Sequence, residues 1–163
     1  MISKTTMSAL GVLRIALGFV FLWVFIDKMF GLGFSTSVDH AWLAGFSPTS
    51  GYLSYGAHGP FAGLFQSLSG NVVVDTLFMG GMLGVGCALV LGVGMRIATI
   101  SGGTIMALIY LSQFPPAHNP VIDEHIIYIL VLIVLFVSHS GDALGFGLWW
   151  KKQSLTTMFP WLE

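Results

Sequence analysis

Charge is what this sequence most lacks. Of its 163 residues only 8% are Asp, Glu, Lys or Arg, six basic against seven acidic for a formal net charge of −1, where an average soluble domain carries roughly 25%. A chain so poor in charge cannot cover a water-facing surface. With so few basic residues it offers no nucleic acid a charged face. The one cysteine excludes a disulfide framework, and a hydrophobic share of 55% excludes disorder. No H-E-x-x-H or C-x-x-C pattern is present, and the histidines do not fall at one depth on two spans, so neither metal nor haem is expected.

What is abundant is long apolar runs. Residues 7–30, 72–94, 97–114 and 120–139 each approach the roughly 20 residues that cross a bilayer. The expectation is a single domain over 1–163, all-α: an integral membrane four-helix bundle with short links at 95–96 and 115–119 between antiparallel neighbours. The first run is too long for a signal peptide, contains Arg14 and ends in Asp27-Lys28, so it reads as a retained span. Lys4, Arg14, Arg96, Lys151 and Lys152 fall on one side and Lys28 alone on the other. That asymmetry predicts a plasma (inner) membrane protein with both termini, and the 140–163 tail, cytoplasmic.

Segment 31–71 is then a long extracytoplasmic loop. Trp42, Phe46, Tyr52 and Tyr55 suit the membrane interface. Phe61, Leu64, Phe65 and Leu68, at helical spacing, predict a short interfacial helix over 60–69 that lies across the bundle as a lid. In the second span Gly80, Gly84, Ala88 and Gly92 make a small-residue ribbon, read as intramolecular packing or as a homodimer face. Gly103 with Ala107, and Gly11 with Gly18, repeat the pattern.

The candidate chemistry lies in the few ionisable residues at membrane depth. Arg14 either snorkels to the near face or contacts an anion or quinone headgroup. Lys28 complements the dipole of the helix it ends. Asp27 opposes that dipole, which points to a partner across the bundle in residues 118–125. There Asn119 reads as an N-cap with Pro120 following. Asp123 and Glu124 fit the first turn, and on a helix Asp123 and His125 diverge. His125, inside an apolar helix, is either a functional residue or a satisfied core histidine. Cys87 at mid-membrane reads as an inert thiol.

These residues carry a resemblance. Arg14-x-x-x-Gly18, Phe21-Leu22-Trp23, Asp27-Lys28 and Phe30-Gly31 look like the first helix of DoxX-type membrane proteins. Ala41-Trp42, Ser47-Pro48-Thr49, Gly59-Pro60, Asn119-Pro120-x-x-Asp123-x-His125-Ile126-Ile127-Tyr128, and Gly141-Asp142 before Trp149-Trp150 resemble the DoxD-like branch. The resemblance implies the membrane subunit of a thiosulfate:quinone oxidoreductase, which joins two thiosulfates into tetrathionate and passes the electrons to quinone with a smaller DoxA partner. That reaction needs a cationic outer pocket, for which Lys28, His118, His125 and His58 are the candidates, and proton donors at the quinone, for which Asp27, Asp123 and Tyr128 are; the expected catalytic set is Asp27, Lys28, His118, Asp123 and His125, with Arg14, Tyr128 and His58 toward the quinone or the anion. The rival expectation is a non-catalytic docking subunit of a larger respiratory complex. The outer face holds Asp27, Asp39, Asp75, Asp123 and Glu124 against Lys28, which disfavours a dianion at neutral pH and leaves a neutral quinone unaffected.

Overall fold

The computed structural model describes residues 3–162, and every regular element among them is helical. Ser3 caps helix α1, Lys4–Phe30, by accepting the Thr6 amide hydrogen at 3.1 Å. The helix stops at Gly31, whose left-handed φ of 65° lets its N–H close on the Asp27 carbonyl at 2.8 Å. Residues 31–71 contain four short turns and helix α2, Ala62–Ser67. The Asn71 side chain caps helix α3, Val72–Leu91, through the amides of Val73 and Val74. Helix α4, Met95–Ser112, follows after two left-handed glycines. Helices α1, α3 and α4 are long and apolar enough to cross a membrane.

Helix α5 is shorter than expected. It spans Glu124–Val137, 14 residues, or about 21 Å at 1.5 Å per residue. The Asn119 side-chain Oδ1 does accept the amides of Val121 and Ile122, at 2.9 and 3.0 Å, but this closes a turn only. The cap is Asp123, in extended backbone, which accepts from the amides of His125 and Ile126. His125 therefore sits in the first turn, not one or two turns inside.

Helix α1 packs on α3, α3 on α4, and α4 on α5, which returns to touch α1. Leu17, Phe21, Met82, Val85, Leu89, Ala98, Met106, Leu132 and Leu135 fill the space between them. Close approach comes from other glycines than the ribbon. A Cβ on Gly86 would lie 2.8 Å from the Leu22 nitrogen, and one on Gly18 would lie 2.9 Å from the Val90 nitrogen. At Gly80, Gly84 and Gly103 it would meet open space. The i, i+4 spacing is real, but α3 is rotated so that Gly86 faces α1 and the ribbon's first half faces outward.

The α2 region is also split. Phe65 is buried with Leu53 and Ala57, and Leu68 packs beside them, while Phe61 and Leu64 are exposed. A helix under two turns long cannot keep four side chains on one face.

Residues 140–162 are folded. They hold a turn at Ser140–Asp142, helices α6, Gly147–Trp150, and α7, Ser154–Met158, and a last turn at Pro160–Leu162. These fold back against α1, α4 and α5. Trp150 Nε1 donates to the Leu162 carbonyl at 3.0 Å, and Lys151 pairs with Asp142 at 2.8 Å.

Candidate functional site

At the end of the molecule opposite Arg14, the second half of α1, the first half of α3, the second half of α4 and the start of α5 enclose a cavity of about 530 Å³. Residues 48–68 close it from above. Its wall is mainly side chains such as Phe21, Val24, Phe78, Met82 and Ile109, and its polar members include Lys28, Tyr52, Ser112, His125 and Tyr128. Ligand sites in proteins are of this size and composition, apolar with a few convergent polar groups.

Each polar group is held. Lys28 Nζ donates to the Pro48 carbonyl at 2.9 Å, which binds the connecting segment to the end of α1. Asp27 and Asp75 both lie near enough to attract the ammonium. Asp75 is buried, and Ser47 and Thr49 donate to its Oδ1 at 2.9 and 2.5 Å. Tyr52 Oη lies 2.6 Å from Ser112 Oγ and accepts from Gln113 Nε2 at 2.7 Å. With the His58 amide donating to the Ser112 carbonyl at 2.9 Å, this latches the segment to the end of α4.

Asp27, though 1% exposed, has no hydrogen-bond partner on another long helix among the described residues. Its carboxylate accepts from the Ser35 hydroxyl at 2.6 Å and from the backbone amides of Ser35 and Phe34. The chain leaving α1 turns back at once and covers the carboxylate that the helix dipole disfavours. Asp27 lies behind the cavity wall, and only Ser35 of this group lines the cavity.

His125 and Asp123 do not diverge. The extended backbone of a cap swings the Asp123 carboxylate over the next turn, where Oδ2 lies 2.9 Å from His125 Nδ1. Burial opposes ionisation of Asp123, but the hydrogen bonds from the His125 side chain and from the Ile126 and His125 amides outweigh it, holding the carboxyl below its ordinary range. An ionised carboxylate can only accept, so Nδ1 carries the ring proton and Nε2 remains the free acceptor. The ring, 13% exposed at its side chain, lines the cavity one turn before Tyr128. Donor atoms of Asp123, Glu124 and His125 lie within 4.8 Å of one another. The cap and the imidazole already engage both Asp123 oxygens, which accounts for that cluster.

No protein-family model matches the chain, and no curated protein or solved structure is significantly similar to it.

The cavity thus gathers Lys28, His125 and Tyr128, with Asp123 behind the imidazole. It does not gather the rest of the expected set. His118 and His58 are exposed and line no part of it. The cationic cluster expected from Lys28, His118, His125 and His58 does not form. Arg14 is fully buried at the far end, and neither snorkels nor meets the cavity. Its Nε donates to the Ser140 carbonyl, Nη1 to those of Leu89 and Val90, and Nη2 to those of Ala143 and Leu144. All five guanidinium N–H groups are engaged. Two of those carbonyls belong to the last turn of α3, where a cation is favoured, and the third orphan, Leu91, accepts from Phe146 at 2.8 Å. Gly92, left-handed with φ of 74°, ends the helix where a Cβ would come within 3.0 Å of Arg14 Nη1.

Tyr52, Ser112 and Thr49 line the cavity and Asp75 anchors Thr49 behind it, yet none of the four was in the expected site set. Asp75, an acid in the first turn of an apolar helix, was the signal available for the last two.

Proposed function

We propose that the chain is a quinone-reactive membrane subunit of an oxidoreductase, as its DoxX-like, DoxD-branch motifs imply. In this reading α1, α3, α4 and α5 form a four-helix bundle in the plasma (inner) membrane with both termini cytoplasmic. Residues 31–71 roof it on the outer side. One observation carries the reading: an apolar cavity of about 530 Å³ among α1, α3, α4 and α5, with Lys28 and the Asp123-backed His125 in its wall.

The residues fit a quinone, a flat apolar ring with two carbonyl acceptors. Bound there, it would supply two-electron, two-proton acceptor chemistry. Lys28 is the donor for one carbonyl. Tyr128 is a hydroxyl donor for the other, and His125 offers Nε2 for proton exchange while Asp123 fixes the orientation of its ring. Lys28 has two carboxylates beside it, so the cavity favours a neutral ring over the thiosulfate dianion. Oxidation of thiosulfate then belongs at the polar rim or on a DoxA-like partner.

The test is binding of a short-chain benzoquinone to the purified protein in nanodiscs, by calorimetry, beside thiosulfate-dependent quinone reduction in membranes. Lys28→Met and His125→Ala each weaken binding about tenfold, the loss of one good polar contact. Unchanged affinity in both variants would remove the site. The rival reading, a docking subunit or homodimer, is supported by the open strip at Gly80 and Gly84. Co-purification with a respiratory complex and no quinone affinity would favour it.

A further inference from the structure

A second cavity, of about 150 Å³, lies at the Arg14 end between the start of α4, the end of α5 and the folded-back 140–162 segment. A single water needs roughly 10–15 Å³ of such space, so this is room for a polyatomic group. Three groups that favour an anion line it: Arg96, Lys151 and His139. Asp142 pairs with Lys151 at 2.8 Å, which leaves one net positive charge with the imidazole neutral. Arg96 has no ion pair or hydrogen bond among the described residues. Gly94 and Met95, where α4 begins without a side-chain cap, form another part of the wall and add the positive end of that helix. His139 adopts a left-handed φ of 52°, a conformation a non-glycine residue holds only when its surroundings impose it.

The surroundings of this cavity are apolar. Trp150, fixed by its hydrogen bond to the Leu162 carbonyl, and Phe136 form walls. Trp149, Trp161, Leu155 and Met158 stand exposed on the same folded-back segment. Indoles and aliphatic side chains at one level with lysine and arginine mark the headgroup layer of a bilayer. A pocket for a soluble anion has no need of that rim.

We propose that this cavity binds the phosphate headgroup of an anionic phospholipid, with Arg96 and Lys151 on the phosphate and the acyl chains along the exposed aromatics. The experiment uses the delipidated full chain in neutral detergent. Native mass spectrometry and thermal melting follow the addition of phosphatidylglycerol, phosphatidylcholine or inorganic phosphate. Phosphatidylglycerol is expected to remain bound and raise Tm by several degrees, and the other two to do neither. Arg96→Gln should weaken phosphatidylglycerol about fivefold, the equivalent of about 1 kcal/mol per cation at a membrane surface. Because Lys151→Gln also breaks the pair with Asp142, Arg96→Gln is the decisive variant: its side chain is exposed and supports nothing else. Equal retention of phosphatidylglycerol and phosphatidylcholine, or unchanged affinity in Arg96→Gln, overturns the proposal. Protection by inorganic phosphate as strong as that by phosphatidylglycerol overturns its assignment to lipid.

Discussion

Replacing Arg14 with leucine keeps the apolar stem and removes the guanidinium. Five carbonyls around a fully buried guanidinium, two of them in buried contacts and three in half-buried ones, then lose a donor. The Ser140 carbonyl retains the Ala143 amide at 3.2 Å, so four are left bare: Leu89, Val90, Ala143 and Leu144. A buried acceptor stripped of its partner costs about 1–3 kcal/mol. Even at the low end, four such carbonyls put the loss near 4 kcal/mol, among the largest effects of single substitutions. At roughly 2–4 °C per kcal/mol for a chain of this size, Tm falls by about 8–16 °C. Thermal melting of the detergent-solubilised protein, followed by helical circular dichroism, reads this directly. Limited proteolysis should show residues 140–162 released first, since three of the five acceptors lie there. Arg14→Lys keeps the charge but cannot fork to two chain segments at once, and should recover less than half of the loss. A leucine variant that melts within 2 °C of wild type would mean that water or local rearrangement satisfies these carbonyls, and the socket would not be what joins the segments.

Asp123 gives a pH signature. Its carboxyl titrates lower in the folded protein than in the unfolded chain, so its stabilisation is complete above the unfolded value near pH 4 and is lost as pH falls through the lower folded value. Tm measured from pH 6 to pH 3 should fall less steeply in Asp123→Asn than in wild type, and an identical slope would refute the assignment. Gly86→Ala should cost about 1–3 kcal/mol by overpacking against the Leu22 backbone. Gly80→Ala, in open space, should be neutral or gain up to about 1 kcal/mol from helix propensity, and equal effects in denaturant titration would contradict the packing. Thr49→Val deprives the buried Asp75 carboxylate of one of two hydroxyl donors. It should cost about 1.5–3 kcal/mol and speed proteolytic cleavage within 31–71, while an unchanged cleavage rate would show that this contact does not hold the segment down.

The long helices were legible because an apolar run twenty residues long has one physical outcome. Arg14 was not, because its partners are backbone carbonyls 75 to 130 residues away, and a carbonyl leaves no mark on sequence. Asp27 misled in the opposite direction. A dipole-opposed acid suggested a distant partner, yet Ser35, eight residues on, supplies it. Asp123 and His125 diverge on a helical wheel, and they meet because Asp123 lies just outside the helix. Assigning the cap four residues too early, at Asn119, hid that contact. The glycine ribbon showed a spacing without a direction, and only the rotation of α3 decides which glycines face a neighbour.

The Arg14 socket also orders events in time. A chain is made from its N-terminus, so the cation exists long before residues 140–144, which complete its shell. Until ribosomal synthesis reaches them, the opening helix carries a charge with at most two of its acceptors in place. Residues made at least 126 positions later therefore seal α1, and a nascent chain arrested after residue 139 lacks three of the five acceptors.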